Sequence, residues 1–396
     1  MKYKCLICGN TNFSELLHYD SLPIVLGAVS KSNIGKIDEY PLTMCFCDFC
    51  YHVQQIDPIP QEISNTIYTD DYYPLTSTVM TGMDLSTINN FYEFFNACEI
   101  KDGDILEIGC YDGNLLLKLY DDGLNIFGID PSNLTGELKK KVGEERIIND
   151  FFTEKTYQNK KFDVVIFRNL LEHLYDINVF IKNVKNILKT NGHIFIEVPN
   201  FKEGIESGGF GYYIHEHLSS FSIETITYFL DLHGFEIEKF VEGDYLFICA
   251  KNIKEGYTKP YKPKYSFDKN GLKQKAIKHY NKVKNDFLYF FESNDYRSIG
   301  IFGVSSQTNA LARVLNNQQR RKISGLFDND KYKYGKYING LDIPVEPPDR
   351  IKDSKLDIIL ISTYLFEKDI LTQLKSFHLE GLKAVTFYPD VNVHGL

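Results

Sequence analysis

Short apolar segments alternate with helix-like stretches through the middle of this 396-residue chain. Between two of these segments, residues 176–189 (DINVFIKNVKNILK) are typical of an amphipathic helix that Asp176 caps and that the turn Thr190-Asn191-Gly192 closes. Strands that alternate with helices predict a parallel sheet with right-handed crossovers, so the expected fold class is α/β. The predicted strands are residues 104–108 (DILEI), 125–130 (NIFGID), 162–168 (FDVVIFR) and 193–198 (HIFIEV).

A second, smaller α/β series begins at Ser298 and continues to the end of the sequence. Between the two series, residues 235–241 and 245–251 flank Glu242-Gly243-Asp244 and are typical of a hairpin. A basic stretch then leads into a predicted helix near Ser266–Phe291. The strands of the second series are expected within SIGIFGV, KISGLFDND, KLDIILIST and LKAVTFYPD.

Length and charge limit the class of protein further. A chain of 396 residues exceeds one typical core, which predicts two or three domains. The formal net charge of −9 argues against a general binder of nucleic acid or acidic membranes. No run approaches 18 apolar residues, and the start MKYKCLICGN is not typical of a signal peptide. We therefore expect a cytoplasmic protein with neither nucleic acid nor a membrane as its partner.

Four cysteines near the N-terminus form two CxxC pairs. Cys5 and Cys8 make the first pair, and Cys47 and Cys50 the second. Two such pairs can complete a tetrahedral S4 site for Zn²⁺, and a site with four thiolates has no open position. The spacing therefore predicts a structural zinc ion rather than a catalytic one. Cys45 could replace Cys47 as a ligand, but only Cys47 gives the two-residue spacing.

A glycine turn follows the first predicted strand. Gly109 and Gly113 lie between this strand and a helix start, where a ligand can approach backbone N–H groups. Glu107 stands at the strand end, and Asp130, at the end of the next strand, could accept both hydroxyls of a ribose. Asp150 and Phe151 could meet an adenine amino group and ring face.

Together, these features resemble the class I S-adenosylmethionine (SAM)-dependent methyltransferases. The resemblance implies that SAM is the cofactor and that the central part of the chain has a Rossmann-like fold. The cofactor-binding residues that it implies are Glu107, Gly109, Tyr111, Gly113, Asp130, Pro131, Asp150, Phe151 and Asn169.

Motifs along nearly the whole chain are similar to one narrower family. This family comprises the three-domain, zinc-containing bacterial sugar C-methyltransferases that act on nucleotide-linked ketodeoxysugars. Its N-terminal domain resembles the cysteine pairs with YPL (40–42) and Val53-Gln54-Gln55, and its C-terminal domain resembles GVSSQTNA (303–310) and YGKYINGLDIPV (334–345). Its SAM-binding core resembles LEIGCYDGNLL, GIDPSN, NLLEH (169–173) and IEVPN (196–200), and its most distinctive motif resembles HEHLSSFS (215–222).

The resemblance predicts four parts of the chain, the last a smaller Rossmann-like α/β domain. They are a zinc-binding domain (1–75), a SAM-dependent methyltransferase domain (76–255), a basic linker and helix (256–295) and a C-terminal domain (296–396).

The HEH motif at 215–217 is expected to lie on the acceptor side of the cleft. The resemblance implies that His217 is the general base, with His215, Glu216, His173 and Tyr213 as further catalytic candidates. If residues 214–218 are extended, His215 and His217 share one side and Glu216 faces the other. One histidine could then be the base while the other, or His173, binds the developing oxyanion. Adjacent H-E-H lacks the i, i+4 spacing of a helical metal motif, which argues against HEH as a metal cage.

The sequence departs from the family at several positions. The family tyrosine before HEH falls on Ile214, and its N-terminal active-site tyrosine would be Tyr72 or Tyr73. An arginine is lost from the strand at 243–247, and a lysine from the turn at 303–307. Both changes remove cations that could face a substrate.

These departures keep two alternatives open beside C-methylation of a nucleotide-linked keto sugar. One is a SAM-dependent methyltransferase that acts on oxygen or nitrogen. The other is a silent zinc-containing binding protein that keeps the methyltransferase shape. A dehydrogenase is disfavoured because the C-terminal turn Gly303-Val304-Ser305 lacks GxGxxG.

Overall fold

A computed structural model of the chain describes most of its length. Tyr72, Tyr73 and the linker residues 256–267 lie outside the described residues. The described ranges are 3–24, 27–67, 82–100, 102–131, 133–207, 213–253, 268–363, 366–387 and 390–396.

Strands and helices alternate along the described chain. The strands are β1 Phe13–Pro23, β2 Glu39–Cys47, β3 Val53–Ile56, β4 Asp104–Ile108, β5 Asn125–Ile129, β6 Ile147–Ile148, β7 Phe162–Arg168, β8 Leu188–Pro199, β9 Ser219–Ser220, β10 Phe235–Glu242, β11 Tyr245–Asn252, β12 Ile299–Phe302, β13 Ile323–Phe327, β14 Val345–Glu346, β15 Ile358–Ile361, β16 Lys383–Thr386 and β17 Asn392–Gly395. The helices are α1 Gln61–Ile67, α2 Gly82–Asn96, α3 Asn114–Asp121, α4 Gly136–Val142, α5 Ile177–Ile187, α6 Phe201–Ser207, α7 Ile223–Leu232, α8 Lys269–Ser293, α9 Ser306–Val314, α10 Asn317–Arg320 and α11 Glu367–Ser376. No helix among these residues is both long enough and apolar enough to cross a membrane.

The central sheet has seven strands in the order β10-β11-β8-β7-β4-β5-β6. Neighbours from β8 to β6 pair in parallel, whereas β11 is antiparallel to both β8 and β10. The predicted α/β class, the four buried strands and the hairpin are confirmed. The carboxyl ends of the parallel strands therefore meet at one edge of the sheet, where open α/β folds bind ligands.

The predicted turn after α5 is wrong. Asp176 caps the helix as expected, because its Oδ1 accepts a hydrogen bond from Val179 N–H at 2.9 Å. The helix ends at Ile187, and the chain enters β8 at once, with Asn191 at a φ of 63°. The register between β7 and β8 shifts between Phe162 and Val164, and this irregularity accommodates the residues of β8 between Leu188 and His193.

The N-terminal sheet is antiparallel and has the order β1-β2-β3-β9. Its last strand, Ser219–Ser220, comes from the HEHLSSFS segment rather than from the N-terminal part of the chain. The four cysteines of the CxxC pairs are buried in one apolar cluster with core residues of the central sheet. The N-terminal sheet is thus built onto the central fold and includes a piece of it.

The C-terminal sheet has the order β14-β13-β12-β15-β16-β17, parallel except for β17. Helix α8 connects it with the rest of the molecule. Phe287 and Phe291 of this helix lie in the C-terminal core, and Leu272 packs against the N-terminal apolar cluster. His279 Nδ1–H donates to the carbonyl of Ile205 in α6 at 3.1 Å.

Gly113 offers a test of the turn that begins α3. Its φ is +77°, and an added Cβ would lie 2.4 Å from Cδ2 of the buried Leu138. Gly123 has a similar φ of +85° with no atom within 4 Å of such a Cβ. We expect Gly123→Ala to lower the free energy of unfolding by about 1 kcal/mol through backbone strain, and Gly113→Ala by a further ~1–3 kcal/mol through the clash. Urea unfolding followed by circular dichroism measures both, and equal losses would contradict the prediction.

Candidate active site

Three ionisable side chains lie at the carboxyl edge of the central sheet, two of them buried and that of Arg168 12% exposed. Glu107 of β4, Arg168 of β7 and Glu197 of β8 each stand at or near the end of an apolar strand. Arg168 Nε–H donates to Glu197 Oε2 at 2.5 Å, whereas its Nη1 lies 3.9 Å from Glu107 Oε1. Burial raises the pKa of Glu107 to about 8, opposed by the Arg168 charge. Glu107 Oε2 has no hydrogen-bond partner among the described residues, so it could accept a donor from a cofactor.

The glycine turn and Asp130 form one hydrogen-bonded unit beside these charges. The backbone N–H of Tyr111 donates to Asp130 Oδ2 at 2.9 Å, and that of Gly109 donates to Ile129 O at 2.8 Å. Asp130 is only 7% exposed. Gly113 directly precedes α3, whose first N–H groups face the turn. The carboxylate that the sequence assigns to a ribose is thus held at the turn that a cofactor would approach.

The remaining cofactor candidates lie at the same edge. Pro131 follows β5, and Asp150 and Phe151 follow β6. The Phe151 ring is 63% exposed, as a surface for an adenine requires, and Asp150 Oδ1 accepts the Phe151 N–H at 2.7 Å. Asn169 has a φ of 46°, and its Nδ2–H donates to Glu197 Oε1 at 3.2 Å.

The HEH segment is a turn, so the condition under which His215 and His217 would share one side, an extended chain over residues 214–218, is not met. The backbone N–H of His217 donates to Ile214 O at 3.2 Å, which closes the turn. As a result, His215 and His217 do not share a side. His215 Nε2–H donates to the carbonyl of Leu22 at 3.0 Å, and its ring packs against Tyr40 in the N-terminal unit.

His217 instead lies against His173. Their ring centroids are 4.9 Å apart and their planes meet at 71°. Burial lowers the pKa of His217 to about 3, with a further contribution from His173, and burial lowers that of His173 to about 4. Both imidazoles are therefore neutral at pH 7. Burial also raises the pKa of Glu216 to about 7.

Tyr213 is separated from this pair. It is 8% exposed and lies in an apolar cluster with Phe46 and Phe201, against which Ile214 also packs. The structure therefore brings His217, His173 and the backbone of Glu216 together, and places Tyr213 and His215 against the N-terminal sheet.

Gln55 is a site residue that the sequence analysis named only as part of the Val53-Gln54-Gln55 motif, without a role in the site. Its buried Nε2 lies 2.9, 3.1 and 2.9 Å from the carbonyl oxygens of Ile214, His215 and His217. One side-chain amide thus holds the HEH turn. The signal was its place in the Val53-Gln54-Gln55 motif, because two amides in a row on a short buried strand need partners.

The four cysteines of the CxxC pairs form a compact cluster. Their sulfur atoms lie within 4.8 Å of one another, with Cys5 to Cys50 at 3.5 Å and Cys8 to Cys47 at 3.6 Å. Tetrahedral Zn–S bonds of about 2.3 Å place sulfur atoms roughly 3.8 Å apart, so the cluster fits that ion. Hydrogen bonds from the neighbouring thiols, that of Cys5 foremost, lower the pKa of Cys47. Cys45 is buried but is not one of the four.

Known families and proteins resemble the chain over these same regions. A methyltransferase domain family matches residues 86–239, and a C-methyltransferase C-terminal domain family matches residues 269–389. C-methyltransferase NovU from Streptomyces niveus is 20% identical, and the match covers 98% of this chain and 96% of that protein.

Other similarities are confined to part of the chain. A ubiquinone biosynthesis O-methyltransferase from Pelagibacter ubique is 33% identical over 26% of this chain and 44% of its own length. The 1,6-didemethyltoxoflavin-N1-methyltransferase of Burkholderia thailandensis, solved with S-adenosylhomocysteine, is 12% identical with a TM-score of 0.41, covering 54% of this chain and 96% of that chain. The full-length similarity is therefore to a C-methyltransferase, and it includes the C-terminal domain.

Gln55→Glu tests the hold on the HEH turn. The change replaces a donor with an acceptor opposite three carbonyl oxygens, so the turn should shift. Because a displacement of about 1 Å can cost on the order of 10²-fold in rate, we expect kcat to fall by at least tenfold while cofactor affinity stays within about twofold. Steady-state kinetics and calorimetry measure the two effects.

Gln55→Met, which removes the donor without adding charge, separates loss of the hydrogen bonds from repulsion. Full turnover in both variants would show that the turn is held without Gln55.

Proposed function

We propose that this chain, which is a SAM-dependent methyltransferase and fits the sugar C-methyltransferase family, moves a methyl group to carbon in a nucleotide-linked keto sugar. The full-length similarity to a C-methyltransferase supports transfer to carbon. The sugar rests on the motifs around the cysteine pairs and HEH. Surface polysaccharides and glycosylated metabolites are the products in which such a sugar would appear.

The cofactor is proposed to lie along the glycine turn. SAM supplies a methyl group activated on a sulfonium, so the acceptor carbon is the partner that needs activation. Asp130 would accept the ribose hydroxyls, and Glu107 would accept donors from the amino acid part of the cofactor. Phe151 and Asp150 would contact the adenine, with Gly109, Tyr111, Gly113, Pro131 and Asn169 shaping the pocket.

His217 is proposed to remove the proton from the carbon beside the keto group. The neutral imidazole carries a lone pair that can accept this proton, and general-base catalysis contributes roughly 10²–10⁴-fold. His173 supports the turn, because its Nδ1–H donates to Glu216 O at 3.0 Å. That bond uses the single N–H of neutral His173, so His173 does not stabilise an oxyanion. Glu216, the middle residue of the motif, is proposed as a further catalytic group beside His217.

The four-cysteine cluster is proposed to hold zinc in a structural role. Its four thiolates leave no position for a substrate. We also propose the division into 1–75, 76–255, 256–295 and 296–396, in which the strand Ser219–Ser220 crosses to the N-terminal sheet.

Asp130→Ala tests the cofactor site. The change removes the acceptor for the ribose and for Tyr111 N–H. Hydrogen bonds to a charged group are worth about 1.5–3 kcal/mol, so SAM and S-adenosylhomocysteine should bind roughly 10–150-fold more weakly. Calorimetry measures both affinities. Asp130→Asn keeps one acceptor oxygen and should lie between the wild type and the alanine variant. Asp121→Asn, on the exposed side of α3, is the matched control.

Proton exchange in D₂O tests His217 apart from methyl transfer. With S-adenosylhomocysteine in place of SAM, the enzyme should exchange the proton on the carbon beside the keto group. Loss of the base in His217→Gln should slow exchange by about 10²–10⁴-fold. Proton NMR follows the reaction, and His193→Gln is the control, because His193 is a partly exposed histidine paired with Glu238.

Equal exchange in His217→Gln and wild type would remove the base role. A product methyl resonance shifted by an attached oxygen or nitrogen would instead show heteroatom methylation. No methylated product from any nucleotide-linked keto sugar would overturn the proposed substrate class.

A further inference from the structure

Three potential metal ligands converge beside the HEH turn, apart from the cysteine cluster. Glu172, His173 and His217 each offer one ligand atom, and these atoms lie within 4.8 Å of one another. Glu172 and His173 belong to a 3-10 turn after β7, spanning Leu171–His173. The backbone N–H of Leu218 donates to Glu172 O at 2.8 Å, so the two segments are joined directly.

Glu172 carries a carboxylate whose burial the protein itself does not offset. The residue is 1% exposed, and neither carboxylate oxygen has a hydrogen-bond partner among the described residues. Nε2 of His173 lies 3.8 Å from Oε1 of Glu172. A buried acid without partners is costly, and a bound cation is one way to offset that cost.

His173 is oriented as metal-ligating histidines are. Its Nδ1–H donates to the carbonyl of Glu216 at 3.0 Å, and a carbonyl can only accept. In the neutral imidazole the lone pair therefore lies on Nε2, the atom that faces Glu172. Donation of the second ring N–H to a backbone carbonyl is the outer hydrogen bond that fixes the tautomer of histidine ligands.

We propose that Glu172, His173 and His217 form a second metal site, which binds one divalent transition-metal ion. Two imidazoles and one carboxylate suit Zn²⁺, Co²⁺, Ni²⁺ or Fe²⁺. Metal–ligand bonds of about 2.0–2.2 Å require the ligand atoms to move closer by about 1 Å or less. Unlike the four-thiolate cluster, a set of three protein ligands leaves coordination positions open.

The site has a consequence for the reaction, which rests on the proposed base role of His217. A neutral imidazole has one lone pair in its plane, and that pair cannot hold a metal and accept a proton together. A bound ion would therefore compete with proton abstraction, and free transition metals would inhibit the enzyme.

Cobalt binding tests the site without measuring turnover. The purified protein, with its cysteine cluster filled by zinc, is titrated with Co²⁺ and followed by calorimetry and by NMR of histidine N–H protons. We expect one equivalent to bind and to shift the resonances of two imidazoles. Glu172→Gln and His217→Gln should each weaken binding by at least about tenfold, since loss of even an outer-shell partner costs 10–100-fold. His193→Gln, which breaks a partly exposed histidine–carboxylate pair, should leave Co²⁺ binding unchanged.

Two results would overturn the site: no binding of Co²⁺ to the zinc-filled protein at millimolar concentration, or equal Co²⁺ affinity in wild type and His217→Gln. Circular dichroism and SAM affinity show whether each variant is folded, and His217, which is only half-buried, provides a second test if Glu172→Gln unfolds. Inhibition of the D₂O exchange by Co²⁺ that disappears in Glu172→Gln would support both the site and the base. Activation by Co²⁺ would support the site and remove the base role.

Discussion

Two neighbouring glutamines on β3 fix the position of the proposed catalytic turn relative to the cysteine cluster. Gln54 Oε1 accepts the backbone N–H of Leu6, between the first two cysteines, at 2.7 Å. Gln55 faces the other way, because successive residues of a strand alternate, and it binds the carbonyl groups of the HEH turn. Both side chains are buried, so neither can exchange its partner for water without cost. A metal in the cysteine cluster would therefore order the proposed catalytic turn across one short strand, although it takes no part in the chemistry.

The second constraint is the group of ionisable side chains at the carboxyl edge of the central sheet, whose burial lowers the stability of the fold. Arg168 is paired closely with Glu197 and stacks over the ring of Phe91 at 5.0 Å, whereas Glu107 is 3.9 Å away and keeps a raised pKa. Each of these carboxyl groups would be replaced by an apolar residue if packing alone mattered, because buried ion pairs rarely add net stability. Groups with pKa values displaced by burial and arranged around a turn are typical of functional sites. The free-energy cost of burying these groups therefore falls at the edge of the sheet where the cofactor and the substrate are proposed to bind.

Periodicity predicted the fold well, since every strand of the central parallel sheet except the two-residue β6 was visible as an apolar run. It could not predict the shape of the HEH turn, because that shape depends on Gln55, which is 160 residues from His215 in the chain. The pairing of Ser219 and Ser220 with β3 is equally non-local, and two serines carry no strand signal of their own. A third non-local contact concerns the family lysine that is missing from the turn at 303–307. Lys333 places its Nζ 3.0 Å from Asp328 beside that turn, so a cation arrives from a different segment.

The C-terminal domain also shows why a glycine turn alone is weak support for a cofactor. The backbone N–H of Val304 donates to Asp328 Oδ2 at 2.6 Å, which repeats the bond from Tyr111 to Asp130 in the central sheet. Both aspartates close the second strand of a parallel pair, and both orient the turn that follows the first. The surroundings differ, because Lys333 Nζ lies 3.0 Å from Asp328 Oδ2, and Val304 is fully buried. In the central sheet the same hydrogen-bonded turn lies beside the buried Glu107 and the exposed Phe151. The turn is thus a packing device common to both sheets, and the groups around it distinguish a binding site from a structural corner.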